Sequence, residues 1–228
     1  MNFLIDALFQ SVRLLTSGNQ ETYSAIFATL KVSTYCMVVS LLIGIPLGFI
    51  LGHHDFLFKK QIRTLVDTLM SLPTVLVGLL VYSLLTHRGP LGQYGLLFTL
   101  EGIAIGQAIL ALPIVIALTA ASVESIDDKL RVTFISLGAN PRQILLSTLW
   151  ETRYSILSAC MNAYGRVLTE VGISIIVGGN IKWHTRTITT AITLETNKGD
   201  FVMGVALGLV LLTIAGLVNY SLSFLRKR

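Results

Sequence analysis

The stretch RVTFISLGANPRQILLSTLWETR, residues 131–153, carries Arg131, Arg142, Glu151 and Arg153 between two long apolar regions. Its spacing predicts two short helices. Ile126, Leu130, Phe134 and Leu137 recur at i, i+4, i+8 and i+11 and mark one helical face. Gly138 can take the left-handed conformation that ends a helix. Asn140 then stands where an N-cap is needed. Pro141 follows as the first helical residue, where its missing N–H costs nothing. Ile144, Leu145 and Leu149 give the second helix its apolar residues. The corner at Gly138–Ala139 therefore joins two helices, neither long enough to cross a bilayer. Two readings are open: a structured loop packed on its own chain, or a surface that docks a partner.

The flanks say where that corner lies. Of 228 residues, 53% are hydrophobic and 13% charged, against about 25% charged in a soluble domain. Mean hydropathy is +0.74, too high for one soluble core. A bilayer core of about 30 Å needs roughly 20 apolar residues as a helix. Four stretches free of Asp, Glu, Lys and Arg meet that need: Val32 to His54, Thr68 to His87, Gly102 to Val123 and Phe201 to Leu225. A fifth, Tyr154 to Gly179, is interrupted only by Arg166 and Glu170. The expectation is an all-α membrane protein with about five transmembrane helices. Residues 1–18 carry Asp6 and Arg13 and show no basic leader before an apolar core. Phe3, Leu4, Leu8, Val12 and Leu15 instead predict an amphipathic helix lying on the outer membrane surface, with a sixth, short span as the alternative. Residues 21–228 form the transmembrane domain, and 124–153 its large loop. Cys36 and Cys160 fall inside spans and read as small packing residues.

Lys and Arg collect on the cytoplasmic side of short loops. Lys59, Lys60 and Arg63 follow the first span. Lys129, Arg131, Arg142 and Arg153 lie in the 124–153 loop, and Arg226, Lys227 and Arg228 end the chain. With five spans these ten share one side. The other side holds Arg13, Lys31, Arg88, Lys182, Arg186 and Lys198. The N-terminus is expected outside, the C-terminus and the 131–153 corner inside. The net charge of +5 thus reports orientation, and nucleic acid is not among the expected partners.

SLGANPRQILL (136–146) resembles the cytoplasmic signature loop of ABC importer permeases, with Gly138 at its central glycine. Val132, Thr133 and Phe134 replace its Glu-Ala-Ala, and Trp150-Glu151 its downstream Leu-Pro. SLPTVLVGLLVYSLLTHRGPLG (71–92) and GRVLTEVGISIIVGGNIKWHTRTITTAITLETNKGDF (165–201) are similar to the matching parts of tungstate-type permeases, relatives of the molybdate permeases. The resemblance runs from Tyr23 to the end. It implies the type I ABC importer permease fold, a homodimer in a prokaryotic inner membrane, and two kinds of partner. One is a cytoplasmic ABC ATPase dimer, which binds ATP and Mg and receives the loop as a coupling helix. The other is an extracytoplasmic oxyanion-binding protein. The coupling residues so implied are Leu130, Phe134, Leu137, Gly138, Ala139, Asn140 and Pro141. This chain is expected to bind no cofactor of its own. It holds no G-x-x-x-x-G-K-[ST] motif and no Gly-Lys pair at all, so it lacks the usual cradle for ATP phosphates.

Arg166 and Glu170 stand four residues apart inside the fifth stretch, with Thr169 beside them. A charge at that depth costs about 2.5–3.5 kcal/mol on insertion scales. Either the two form a structural ion pair or they line an anion path. The outer segment 179–200 is Thr-rich and carries Lys182, His184, Arg186, Glu195 and Lys198. Arg, Thr hydroxyls and backbone N–H groups suit an oxyanion. Lys182, Arg186, Glu195 and Lys198 are candidates for an outer gate or for docking the binding protein. His184 has no second His at ligand spacing, and no metal site is expected. No G-x-S-x-G, H-E-x-x-H or C-x-x-C occurs, so an enzyme is not expected. Gly44, Gly48 and Gly52, with Gly102/Gly106 and Gly204/Gly208, allow close helix approach. Pro46, Pro73 and Pro113 are expected to kink their spans.

Two classes of function remain. One is the permease of an ATP-driven, binding-protein-dependent importer of tungstate, or of molybdate or another tetrahedral oxyanion. The other is a non-transporting membrane scaffold that recruits a cytoplasmic partner.

Overall fold

A computed structural model describes residues 2–126 and 133–226. Its described residues are helical, with no strand. The helices are α1 (Asn2–Thr16), α2 (Gln20–His53), α3 (Lys59–Leu69), α4 (Thr74–Leu85), α5 (Leu100–Glu124), α6 (Pro141–Leu168), α7 (Gly172–Gly178), α8 (Ile188–Asn197) and α9 (Phe201–Arg226).

Local chemistry sets the starts. The Asn19 side chain accepts from the Thr22 N–H to cap α2, and Thr99 accepts from the Gly102 N–H to cap α5. Thr187 and Thr190 form a reciprocal capping box on α8. Asn140 and Gln143 do the same on α6, with Pro141 in its first turn. Each box satisfies two backbone donors that a helix start otherwise leaves open.

Three helices, α2, α5 and α9, are long and apolar enough to cross a membrane. The expected span 68–87 is instead a bent pair. The polar α3 and the apolar α4 meet at 95° across Met70–Pro73, and Pro73 sits at the N-cap of α4 rather than inside a helix. The expected span 154–179 is also broken. α6 begins at Pro141, ends at Leu168, and α7 starts at Gly172. The second helix of the corner is therefore not short: it is the first turn of a 28-residue helix. The apolar runs carry no break signal at Thr169–Val171, which is why the sequence reads as continuous there.

The α2–α5 pair is the spine. Cβ atoms added at Gly44, Gly48 and Gly52 would fall 2.6–2.8 Å from Val115, Ile116 and Ala120. Only glycine admits that approach, and the small-residue reading holds for α2. Gly106 likewise lies against Ile173, whereas Gly208 has nothing within 4 Å. α6 and α7 together run antiparallel along α5. Ser155 and Ser158 face Ser122 and Ser125 at one end, and Gln107 meets Ser174 toward the other.

α1 packs Ala7, Ser11 and Leu14 inward, Leu14 joining a cluster with Leu207 and Val210 of α9. It leaves Ile5, Leu8, Phe9 and Val12 exposed. An amphipathic helix with a bare apolar face suits the membrane surface. Cys36 and Cys160 are free thiols.

Candidate functional site

The two helix breaks meet about halfway along α5. Leu72, at the α3/α4 bend, packs with Leu110 of α5 and Ile173 of α7. A Cβ on Gly172 would lie 3.1 Å from the Thr74 hydroxyl and 3.3 Å from Glu170 Oε1. Non-helical backbone at membrane depth is tolerated only inside protein or against a cavity. Here polar side chains enclose it. The buried Glu170 accepts from the Ile173 N–H, in the first turn of α7, at 3.1 Å. Its own carbonyl accepts from Thr189 at 3.0 Å and from Ser174 at 3.2 Å. Gln107 donates to the Ser174 hydroxyl at 3.3 Å, while its buried Oε1 has no partner among the described residues. Thr187 and Thr189 share a hydrogen bond at 2.9 Å.

Arg166 does not join that group. It is exposed near the end of α6, while Glu170 is buried past the break. No hydrogen bond or ion pair of its guanidinium is found among the described residues. The intrahelical Arg166–Glu170 pair is therefore overturned, because no single helix carries both. Thr169, also exposed, returns its hydroxyl to the Gly165 carbonyl. Arg166 and Thr169 instead continue a stripe with Glu151, Ser155 and Asn162, all exposed. At 100° per residue these fall within a narrow arc of α6. A polar stripe on a helix packed along α5 needs water or a second surface.

The four outer candidates do come together. Lys182, Arg186, Glu195 and Lys198 line one cavity of about 320 Å³, with Glu21 and Asn19 of the α2 start. Lys182 Nζ lies 2.7 Å and Arg186 Nη1 2.5 Å from the Glu21 carboxylate. Lys198 pairs with Glu195 at 2.8 Å. Arg186 Nε also donates to Asn180 Oδ1 at 3.1 Å. The hydrogen bond from Lys182 holds the Glu21 carboxyl below its ordinary range. Burial opposes it, and the charges of Lys182 and Arg186 add to it. Glu21 was the residue that sequence spacing missed: it lies 165 positions from Arg186, and only a first-turn acidic residue on α2 marked it.

At the opposite end of α2, Lys59 and Arg63 reach Glu124 at 3.8 Å each. The first basic loop and the start of the 124–153 loop thus share one end, as the charge pattern required. In that loop Gly138 has φ +77°, the expected left-handed break. Phe134 is half-buried. Ile135, Leu137, Leu146 and Trp150 are exposed, Leu137 by 78%. Among the described residues these apolar side chains of the corner are not buried on their own chain. Leu130, named with it, lies outside the described residues. Arg153 stacks between Trp150 and Tyr154 at 4.2 and 4.3 Å. Among the described residues no group of three His, Cys, Asp or Glu could hold a metal.

Close-packed spans, two broken helices at mid-depth and an exposed apolar corner define a multi-pass membrane transport subunit. The chain belongs to the family of binding-protein-dependent transport system inner membrane components, whose pattern matches residues 44–228. It is 47% identical over 220 residues, 96% of its length and 92% of the relative's, to the tungstate uptake system permease protein TupB of Campylobacter jejuni. It is 35% identical over 219 residues, 96% of each chain, to the tungstate uptake system permease protein TupB of Peptoclostridium acidaminophilum. Among solved structures, the inward-facing MetNI methionine ABC transporter superposes with a TM-score of 0.74 at 16% identity. That match covers 93% of this chain and 97% of the other, and it shows the type I fold alone. This is a permease subunit rather than an enzyme, and ATP hydrolysis belongs to a separate chain.

Proposed function

We propose that this chain is the membrane-spanning half of a tungstate importer, working as a homodimer. The observation that carries the substrate is the 47% identity, over nearly the full length of both chains, to a tungstate uptake permease. In this reading α6–α7 is a fifth crossing, supported by its match to α5 along most of that helix. The N-terminus is outside and the C-terminus cytoplasmic. The α6 stripe of Ser155, Asn162, Arg166 and Thr169 faces its copy across the two-fold axis and lines the anion path. The breaks at Met70–Pro73 and Thr169–Val171 are where that path opens and closes. The corner at Phe134, Leu137, Gly138, Ala139, Asn140 and Pro141 docks on the ATPase dimer, its exposed apolar side chains entering a groove there. ATP and Mg bind on that partner. Lys182, Arg186, Glu195 and Lys198 face the binding protein that delivers the anion.

The test is uptake of labelled tungstate, molybdate and sulfate into proteoliposomes carrying this chain, its ATPase and its binding protein. ATP-dependent accumulation of tungstate ahead of the other two is expected. Preferential accumulation of molybdate, or none of any oxyanion, overturns the substrate assignment.

A further inference from the structure

Glu21 engages two cations at once, on a segment that otherwise has little reason to hold them. Lys182 and Arg186 belong to the turn between α7 and α8, and Glu21 to the first turn of α2. Reaching it, the turn adopts unusual backbone: Asn180 at φ +50° and Trp183 at φ +67°, two of the three described non-glycine residues with positive φ. For a tryptophan that conformation is a genuine outlier, and such outliers cluster at ligand clamps and switches. The Lys182 pair adds little stability. Lys182 and Glu21 are 49% and 40% exposed at their side chains, and ion pairs that open to water contribute little.

The geometry suits an anion. Arg186 is the better-buried cation, at 14% exposure, and Asn180 fixes its Nε side. Its Nη1 edge is left aimed at the Glu21 carboxylate. The start of α2, a 34-residue helix, adds the positive end of its dipole. Lys182, Arg186 and Lys198 face only Glu21 and Glu195 in the cavity, leaving one positive charge in excess.

We infer that this outer cavity is a receiving site for a tetrahedral oxyanion, and that Glu21 is the resident anion which an incoming dianion displaces from Lys182 and Arg186. The transport reading above supplies the identity of the dianion; the site itself rests on the cavity. A dianion offers twice the charge of one carboxylate, and a guanidinium fork matches its oxygens in two places. Displacement frees the α2 start from the 180–186 turn. Arrival of cargo is thereby coupled to loosening of the outer end.

Trp183 is next to Lys182, whose Nζ lies 5.3 Å from its ring, and the chain has only two tryptophans. With Trp150→Phe, Trp183 alone reports. The full chain in detergent micelles, without binding protein, is titrated with sodium tungstate at constant ionic strength. Sodium chloride is the control, and sulfate a parallel arm. A saturable fluorescence change is expected with tungstate and none with chloride. Glu21→Gln should bind at least tenfold tighter, because its cations are no longer neutralised. Arg186→Gln should bind at least tenfold weaker. Lys182→Gln serves if that variant elutes aggregated on gel filtration. Equal midpoints in wild type and Glu21→Gln, or an equal response to chloride, overturn the inference. Tungstate uptake without a Trp183 response defeats this site and leaves the transport reading intact. A Trp183 response without tungstate uptake does the reverse.

Discussion

Arg166 holds a guanidinium on the exposed stripe of α6 with no partner among the described residues. Glu170, four positions on, is buried and spends its carboxylate on the Ile173 N–H. Their roles are thus independent, and substitutions should show it. Arg166→Ala is expected to keep its thermal midpoint in detergent and lose at least tenfold in uptake. Glu170→Ala leaves the buried Ile173 N–H without its acceptor and should cost about 1–3 kcal/mol. Glu170→Gln keeps an acceptor oxygen and should cost less. A cycle of Arg166→Ala with Glu170→Gln should be additive within about 0.5 kcal/mol; coupling well above that restores the ion pair. An i, i+4 spacing pairs two charges only if one helix spans both, and α6 ends at Leu168, before Glu170. Glu21 allows a second test. Its carboxyl is lowered chiefly by the hydrogen bond from Lys182, so its contacts are complete above the ordinary carboxylate value. They are lost as pH falls through the lowered one. Trp183 fluorescence should stay flat from about pH 8 to pH 5 and change only below about pH 4.3, the ordinary Glu value. In Glu21→Gln the acid change should vanish. A transition near neutral pH means that another group controls the contact.

At the scale of elements, the glycines of the spine and of the corner fail in different ways. A Cβ at Gly48 meets the Ile116 carbonyl oxygen at 2.6 Å and Thr119 at 2.7 Å. Backbone cannot step aside as a side chain can, so Gly48→Ala should separate α2 from α5 and cost about 1–3 kcal/mol. Gly216 of α9 has nothing within 4 Å among the described residues, and Gly216→Ala should be neutral or stabilising by up to about 1 kcal/mol. Thermal unfolding of the two in one detergent decides it; equal midpoints would show that the close packing is not what holds the pair. A Cβ at Gly138 meets nothing within 4 Å among the described residues, and its φ is +77°, so conformation is what limits the residue there. Gly138→Asn should retain substrate-stimulated ATP hydrolysis, since Asn tolerates the left-handed region. Gly138→Val should insert yet lose it. Full coupling in Gly138→Val would mean the corner is not the transmitter. These elements divide by legibility. Gly138, Asn140 and Pro141 carry conformational and hydrogen-bonding preferences that act locally, so the corner was readable. The α6/α7 break is held by Glu170, Thr189 and Ser174 together, residues that meet only after folding. Hydropathy ran straight through it.

The whole molecule turns on which end of α2 faces the cytoplasm. One end gathers Glu21, Lys182 and Arg186; the other gathers Asp55, Lys59, Arg63 and Glu124. α2 has 34 residues, about 50 Å at 1.5 Å per residue, so a bilayer core of about 30 Å fits between the clusters. The second end also leads into the 124–153 loop, whose exposed Leu137 and Trp150 need a cover. Lys and Arg favour the cytoplasmic side, and ten basic residues in three regions fall at this end if α3/α4 and α6/α7 each cross once. Were the whole chain inverted, all ten would lie outside, against that preference. Single cysteines placed in a Cys36→Ala, Cys160→Ala chain distinguish the two. Residues 60 and 138 should resist a membrane-impermeant maleimide added to intact cells, and residue 198 should react. A cysteine appended after Arg228 is the discriminating probe: protection supports a cytoplasmic C-terminus, and labelling from outside, with residue 60 reactive and residue 198 protected, inverts the chain and puts the exposed 131–153 corner where no ATPase can reach it.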